Sequence, residues 1–306
     1  MSLNLSNGEN TVKIAAIDIG SNAARLQISS VLTDGGQVSL KKVEYVRFPL
    51  RLGHDVFNYG HLTQESIDRT AKLMESYRLL MELHEVESYM ACATSAMREA
   101  TNGAEVVAQI KERTEIEIHI IDGIREAELI NNVVVTALDK NQYLHIDVGG
   151  GSTELNVYFN KIKTASKSFK IGSVRLLEGK ETKGAWTKMQ DWIGSHIDSK
   201  KPITAVGTGG NISKLFNLVS KTSETSTTLE ELERIRNYIA SYSQEERVNK
   251  LRLNADRADV IVPASDIYIS VMKWAKANTI LVPDLGLKDG ILQLVYEGVN
   301  NEVNEQ

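Results

Sequence analysis

The chain has 306 residues, about twice the length of a typical domain, so we expect two domains. Apolar residues make up 42% and charged residues 25%, as in an ordinary globular protein, and no apolar run approaches the roughly 20 residues of a membrane span. The net charge of −5 argues against a nucleic-acid-binding protein, and the single cysteine, Cys92, excludes an intrachain disulfide and a cysteine metal cluster. Because the first ten residues carry no secretory pattern, we expect a cytoplasmic protein without a membrane or nucleic-acid partner.

The charge is unevenly distributed along the chain. Residues 156–201 contain ten Lys and Arg against four acids, a net charge of +6 on an otherwise acidic protein. A basic region of this kind can steer a polyanion towards one face. Solvated surface lysines are the simpler interpretation, because most lysines keep their charged heads in water.

The first predicted element is a short apolar strand, 13–17, which leads into a glycine-containing turn and a second strand-like stretch, 25–31. Backbone N–H groups in such a turn can point into one concavity and bind an anion, although many such turns bind nothing. The residues predicted to bind phosphate here are Gly20, Ser21 and Asn22. Asp18 stands at the mouth of the turn and is a candidate metal ligand.

A later apolar strand ends at Ala93 and is followed by Thr94 and Ser95, which are predicted to begin a helix and to contribute to the phosphate site. Arg98 on that helix, and Arg25 in the first hairpin, are candidates for neutralising charge on a transferred phosphoryl group. Ordinary salt bridges are the alternative for both arginines.

The segment 120–129 places two carboxylates, Glu126 and Glu128, on the first turns of a helix that follows a strand. Either carboxylate can orient and deprotonate a water molecule if it faces the cleft. Their spacing does not distinguish them, and exposure to solvent is the alternative for each.

The second hairpin repeats the order of the first: strand 142–146, a glycine-rich loop, then strand 154–159. Asp147 and Glu154 stand at the two ends of the loop, so a tight hairpin brings them together as candidate ligands for Mg²⁺. In the alternative interpretation, Asp147 fixes its own turn and Glu154 is an exposed strand residue. The residues predicted to bind phosphate here are Gly149, Gly150, Gly151, Ser152 and Thr153.

A third apolar strand, 203–206, enters another glycine-rich loop and is followed by a helical pattern. Its predicted phosphate-binding residues are Gly209, Gly210 and Asn211. Neither a Gly-x-x-x-x-Gly-Lys-Ser/Thr loop nor a dinucleotide fingerprint is present, which excludes P-loop and NAD-dependent enzymes. Amphipathic helices are predicted around Ile67–Met81, Trp186–Ile197, Leu229–Ile239 and Ile267–Trp274, with a capping box at Ser243.

Strands alternating with helices indicate an α/β fold. The first two hairpins have the same order of parts, which indicates an internal duplication. Residues 222–228, a run of Thr, Ser and Glu, are predicted to form a surface loop.

Taken in order, these segments resemble the exopolyphosphatase/guanosine pentaphosphate phosphohydrolase family of the acetate kinase–sugar kinase–Hsp70–actin superfamily. The resemblance runs from end to end of the chain. The matching segments are 15–22, 50–53, 93–100, 121–127, 147–155, 171–176, 206–210, 257–261 and 287–292.

The resemblance implies two similar domains of actin-like, ribonuclease H-like type. Each has a mixed five-stranded sheet flanked by helices, and the active site lies in the cleft between them. Domain I is expected to comprise residues 1–130 and a C-terminal helix, 289–306, and domain II residues 131–288. The chain resembles the short members of the family, without extra helical C-terminal domains, and a homodimer is plausible from the same resemblance.

The resemblance also implies roles for the candidate residues. It selects Glu126 over Glu128 as general base, associates Asp147 and Glu154 with magnesium, and places Arg25 and Arg98 in the phosphate site. The implied reaction is hydrolysis of the terminal phosphate of inorganic polyphosphate or of guanosine pentaphosphate. A departure from the family pattern is Arg125, which stands where an acid is usual.

Two alternatives to a hydrolase stay open from the sequence. An ATP-dependent kinase of the same superfamily would use the Gly207–Asn211 loop for part of an adenosine pocket. A non-catalytic sensor would bind polyphosphate or guanosine tetra- and pentaphosphate without turnover.

Overall fold

The computed structural model describes residues 11–35, 37–198, 200–219 and 225–304. Two mixed sheets form the frame, and the order of strands in the first is β3-β2-β1-β4-β5. Its strands are β1 (Lys13–Ile19), β2 (Ala24–Asp34), β3 (Gln37–Phe48), β4 (Ser88–Ala93) and β5 (Ile118–Ile120).

The second sheet has the order β10-β11-β9-β6-β7-β8. Its strands are β6 (Gln142–Val148), β7 (Thr153–Phe159), β8 (Ile162–Phe169), β9 (Ile203–Thr208), β10 (Ser226–Thr228) and β11 (Thr279–Leu281). In each sheet a central strand pairs antiparallel with the next strand of its hairpin and parallel with a later strand. The duplication expected from the sequence is therefore present in the topology.

The expected α/β fold is confirmed, with one difference in detail. The second sheet has six strands rather than five, because β10 pairs antiparallel with β11 at the edge. The segment 222–228 was predicted to be a loop, which is wrong for Ser226–Thr228. Residues 222–224 lie outside the described residues.

Thirteen helices in the described residues cover the sheets. They are α1 (Leu52–Tyr59), α2 (Gln64–Leu83), α3 (Ser95–Glu99), α4 (Gly103–Thr114), α5 (Gly123–Val134), α6 (Ser173–Leu177), α7 (Ala185–His196), α8 (Gly210–Val219), α9 (Leu229–Ala240), α10 (Gln244–Asn249), α11 (Ala255–Ala258), α12 (Ile261–Ala275) and α13 (Leu287–Asn304). The four predicted amphipathic helices correspond to α2, α7, α9 and α12, and the capping box at Ser243 is present. No helix in these ranges has the length and apolar character needed to cross a membrane.

Three apolar cores support this frame. Two of them lie between a sheet and the helices that cover its outer face, one core for each sheet. The third lies where α5 and α13 pack against both sheets. The crossing of α13 over α5 is close, because a Cβ at Gly290 would lie 2.1 Å from the Leu129 carbonyl oxygen. Only glycine fits there, so this position sets how closely α13 packs against α5.

The predicted division of the chain into domains stays a prediction. Helix α5 spans Gly123–Val134, so a boundary after residue 130 lies inside it. We propose a boundary after Val134, which keeps the helix whole. The predicted C-terminal helix begins two residues earlier than expected, at Leu287.

Candidate active site

The first hairpin turns at the end of β1, where the Gly20 N–H donates to the Ala23 carbonyl at 3.1 Å. Asp18 and Arg25 are directly opposed across the β1–β2 pair. The Arg25 Nη1 donates to Asp18 Oδ2 at 2.6 Å, and Asp18 is buried. The negative charge of the first loop is thus neutralised within its own hairpin.

The second hairpin turns in the same way, with the Gly149 N–H donating to the Ser152 carbonyl at 2.9 Å. Here the opposed residues are Asp147 and Glu154, so two acids face each other across β6 and β7. Glu154 is 1% exposed and accepts a hydrogen bond from the Ser168 hydroxyl at 2.8 Å. The predicted convergence of these two carboxylates is what the structure shows.

Burial of this acid pair changes its protonation. Burial, and then the nearby charges of Glu154 and Asp18, raise the pKa of Asp147 to about 7. The pKa of Glu154 is also raised, mainly by burial. Buried carboxylates of this kind keep their protons unless a cation compensates them.

The two hairpin loops are in direct contact. A Cβ at Gly150 would lie 2.9 Å from the Ser21 Cβ, and one at Gly151 would lie 2.5 Å from the Ser95 Oγ. The Ser21 and Ser95 hydroxyls are hydrogen-bonded at 2.8 Å. Glycine is required at both positions because the second loop closely approaches the first loop at Ser21 and the start of α3 at Ser95.

Glu126 lies in the first turn of α5 and is buried, with no hydrogen-bond partner for Oε2 among the described residues. Its Oε2 is 3.8 Å from the Arg98 Nη1. Burial, followed by the charges of Glu154 and Asp147, raises the pKa of Glu126 well above its ordinary value. An unpartnered buried carboxyl beside other acids is typical of a functional group rather than of a structural one.

Glu128, the alternative from the sequence, faces away from this centre. Its side chain is half exposed, and it accepts a hydrogen bond from Arg125 at 3.1 Å. Arg125 is itself exposed, so the residue that departs from the family pattern does not enter the cleft. Of the two glutamates that spacing could not separate, the structure brings only Glu126 to the other acids.

The third glycine-rich loop closes one wall of the same centre. Gly209 has a positive φ of 96°, and a Cβ there would lie 2.9 Å from the Asp147 Oδ1. A Cβ at Gly210 would lie 2.9 Å from the Arg257 Nη2. The loop therefore leaves room for the Asp147 carboxylate and for an arginine that points into the cleft.

A single cleft of about 270 Å³ joins these features. Most of the residues predicted from the sequence line it, namely Asp18, Gly20, Ser21, Asn22, Arg25, Thr94, Ser95, Glu126, Asp147, Gly149, Gly150, Ser152, Glu154, Gly209, Gly210 and Asn211. In the described chain, no group of three or more His, Cys, Asp or Glu side chains is arranged to hold a metal ion by itself.

Three predicted residues do not line the cleft. Arg98 lies behind Glu126 and donates to the Ile121 carbonyl at 2.6 Å. The Thr153 hydroxyl, fully buried, donates to the Ile171 carbonyl at 2.6 Å, because strand β7 has already begun there. Gly151 packs against Ser95 as described above, so its role is to let the second loop approach the start of α3.

Several cations in the cleft were missed by the sequence analysis. Arg47 is opposed to Arg25 across β2 and β3 and pairs with Asp256 from the other half of the molecule. Burial, followed by the charges of Arg47 and Arg25, lowers the pKa of Arg257 to about 10. Arg257 lies in a segment that resembles the family, but the sequence analysis assigned it no role. Arg47 lies on the edge strand β3, and no local sequence motif marks it. Lys214 and Lys288 also line the cleft.

Two duplicated sheets with glycine-rich hairpins facing a shared cleft define a protein of the actin-like ATPase superfamily. Comparison with known proteins gives the family. The model of the Ppx/GppA phosphatase family matches residues 31–297, so the chain belongs to that family. The expectation of a hydrolase acting on phosphoanhydride bonds is thereby confirmed at the level of the family.

Two curated relatives illustrate the similarity. Exopolyphosphatase 1 of Mycobacterium leprae is 20% identical, over 92% of this chain and 88% of that protein. A bifunctional 3-dehydroquinate synthase/phosphatase of Fusobacterium nucleatum is 26% identical over 94% of this chain, which spans 47% of the longer protein.

Solved structures give the same fold. The Aquifex aeolicus member of the Ppx/GppA family has a TM-score of 0.71 and 25% identity, covering 95% of this chain and 98% of that one. An exopolyphosphatase from Cytophaga hutchinsonii has a TM-score of 0.79 and 24% identity, covering 94% and 98%.

Proposed function

We propose that this protein removes the terminal phosphate of inorganic polyphosphate or of guanosine pentaphosphate by direct attack of water. The observation that carries the proposal is the position of Glu126. Its carboxyl is buried, and one carboxyl oxygen has no hydrogen-bond partner among the described residues. It shares the cleft with the two glycine-rich hairpin loops. A general base needs such an unengaged oxygen at the reacting centre.

In the proposed reaction, Glu126 takes a proton from water as the water oxygen bonds to the terminal phosphorus. The anhydride bond to the next phosphate breaks, and the leaving oxygen keeps the bonding electrons. The products are orthophosphate and a chain that is one phosphate shorter. Arg98, 3.8 Å from the Glu126 carboxylate, favours its ionised form.

The chain of phosphates would be held by backbone N–H groups of the two hairpin loops and the third loop. Backbone N–H groups bind anions without help from side chains. The glycine that the close loop contact requires at position 150 is therefore compatible with phosphate binding by this loop. Arg25, Arg47 and Arg257 converge on the same cleft and would neutralise phosphate oxygens.

The donor set fits Mg²⁺, which uses few protein carboxylates together with water and substrate oxygens. Asp147 and Glu154 would hold the ion, because the two acids face each other across the hairpin and burial raises the pKa of both. Asp18 is engaged by Arg25, so we expect it to contribute least of the three predicted ligands. Bound there, the ion supplies charge neutralisation for the phosphate oxygens.

The test is a phosphate-release panel with short and long polyphosphates, guanosine pentaphosphate and ATP, each with and without Mg²⁺. We expect orthophosphate from polyphosphate or guanosine pentaphosphate, without any added acceptor, and only with the metal. Transfer of phosphate only when an acceptor is supplied would favour a kinase. Tight binding without turnover would favour a sensor, and either result would contradict the proposal.

A further inference from the structure

A line of polar side chains, exposed at its first member and buried beyond it, crosses one face of the second sheet next to Asp147 and Glu154. It begins with Ser166 on β8 and continues through Asn156 on β7 and His145 on β6 to Thr208 on β9. The three hydrogen bonds measure 2.6, 3.0 and 2.8 Å in that order. His145 and Thr208 are fully buried and Asn156 is 1% exposed, so solvent does not compete for the two bonds that His145 makes.

The line has a single direction of donation. The Ser166 hydroxyl donates to the Asn156 Oδ1, which leaves the Asn156 Nδ2 to donate to the His145 Nδ1. A ring nitrogen that accepts carries no proton, so the neutral imidazole has its hydrogen on Nε2. That Nε2–H then donates to the Thr208 Oγ1.

The line ends at the acid pair. Thr208 is opposed to Asp147 in the parallel register of β6 and β9, so the two side chains lie on the same face of the sheet. Because the Thr208 oxygen already accepts from His145, its own hydrogen is available for the Asp147 carboxyl. The orientation of this donor is then set four side chains away.

We propose that His145 and Thr208 are positioning residues, which hold the Asp147 carboxylate in one orientation through a relay of donors that begins at Ser166. The consequence for catalysis rests on the role proposed above for Asp147. The direction of the hydrogen bonds does not, because it follows from the orientation of the Asn156 amide between Ser166 and His145. No local motif marks His145, which is why the sequence assigned it no role.

The direction matters because the same residues can also be connected in reverse. With the hydrogen on Nδ1, the imidazole would donate to Asn156 and accept from Thr208 at Nε2. The Thr208 hydrogen would then point away from Asp147 and leave that carboxyl without this donor. Partners of this kind behind a metal-binding carboxylate usually contribute about 10- to 100-fold to metal affinity or activity.

The first measurement is the ring ¹⁵N spectrum of His145 in the full-length wild-type protein, assigned by its loss in His145→Gln. We expect a neutral ring with hydrogen on Nε2 and a bare Nδ1. A ring with its hydrogen on Nδ1, or a doubly protonated ring, would overturn the proposal. This readout needs neither substrate nor metal.

The second measurement compares Thr208→Val, which removes the hydroxyl at nearly constant volume, with Thr208→Ser, which keeps it. We expect kcat to fall about 10-fold in Thr208→Val with KM changed less than about twofold, and to recover in Thr208→Ser. The matched control is Tyr158→Phe, which removes a buried hydroxyl from the same face of β7 that is bonded at 3.0 Å to Asn131 instead.

Unchanged kcat in Thr208→Val, or an equal loss in Tyr158→Phe, would contradict the positioning role. If the wild-type protein released no phosphate from any substrate, the proposed function would fail. The ring spectrum would still decide the direction of the relay in that case.

Discussion

The two hairpins of this molecule share one layout and differ in the charge of the residue that faces the aspartate. In the first, the acid at the end of β1 faces an arginine, Asp18 against Arg25. In the second, the acid at the end of β6 faces another acid, Asp147 against Glu154. The register is the same in both, so the duplicated frame is held constant while the charge opposite the aspartate is reversed.

This difference separates the roles of the two loops. The Asp18–Arg25 pair is bonded at 2.6 Å and needs no further ion. In the second hairpin, burial and the facing acid raise the pKa of Asp147 to about 7, and no arginine is opposed to it in the register. Under the proposed function, the first loop would bind phosphate as it stands, whereas the second would need a bound cation.

The largest effect on phosphate release is expected from substitution of Glu126, which lies against the acidic hairpin, that is, the second hairpin with Asp147 and Glu154. Glu126→Gln keeps the shape of the side chain and removes the base, so phosphate release should fall by about 10²–10⁴-fold, with substrate binding retained. Steady-state release and equilibrium binding measure the two quantities separately. The control is Glu128→Gln two residues along the same helix, which alters an exposed side chain. Equal turnover in both variants would contradict the assignment of the base.

Substitution of Arg25 tests the first hairpin, in which Arg25 neutralises Asp18. Arg25→Met leaves Asp18 buried and unpaired, so the free energy of unfolding should fall by about 3 kcal/mol. Urea denaturation measures this. Arg78→Met, which removes an arginine from an exposed pair with Glu75 on α2, should leave the stability nearly unchanged.

A second substitution distinguishes folding from function. Adding Asp18→Leu to Arg25→Met removes both charges, and stability should largely recover. Phosphate release should not recover, because Arg25 also lines the cleft. Recovery of both would show that Arg25 acts only through the stability of its hairpin.

The acidic hairpin predicts a particular pH dependence for the metal-free protein. The raised pKa of Asp147 means that the folded state keeps a proton that the unfolded state has lost, between the ordinary carboxylate range and about pH 7. Stability should therefore fall as the pH rises through this window, and Mg²⁺ should reverse the loss. Melting temperatures of wild type and Asp147→Asn across this window measure the effect.

In that experiment the slope should be shallower in Asp147→Asn, because one of the raised pKa values is gone. It should not vanish, since the pKa values of Glu126 and Glu154 are raised in the same direction. Glu128→Gln should follow the wild-type profile. Stability that increased with pH over this range would contradict the account.

The smallest effect is expected at the position where the chain departs from its family. Arg125→Glu restores the usual acid, yet Arg125 is half exposed and pairs only with Glu128 on the surface. Exposed pairs of this kind contribute little, so kcat should change less than about twofold. A larger change, on any of the substrates in the panel, would show that this residue acts on the cleft.

Much of the frame could be predicted from the sequence because the signals were local. The two glycine loops, the capping box at Ser243 and the stripes of α2 and α12 are set by neighbouring residues, and all are present. Strand β10 was missed because it is three residues long and polar. Its pairing depends on β11, more than 50 residues further along the chain.

As with the fold, the parts of the site that depend on residues close together in the sequence could be predicted. Asp147 and Glu154 were placed together because a tight hairpin connects them. Spacing alone did not separate Glu126 from Glu128, because burial on a helix depends on what packs against it. The family resemblance selected Glu126. Arg47 and Arg257 were missed for a related reason, since only the folded cleft brings them to Arg25.

The difference between the two hairpins is tested most directly by Mg²⁺ binding, measured by isothermal titration calorimetry on Asp147→Asn and Asp18→Asn beside the wild-type protein. The account predicts that Asp147→Asn lowers Mg²⁺ affinity by at least about 10-fold, as loss of a carboxylate ligand should. Asp18→Asn should retain affinity close to that of the wild type. Equal losses in the two variants, or a loss confined to Asp18→Asn, would contradict it.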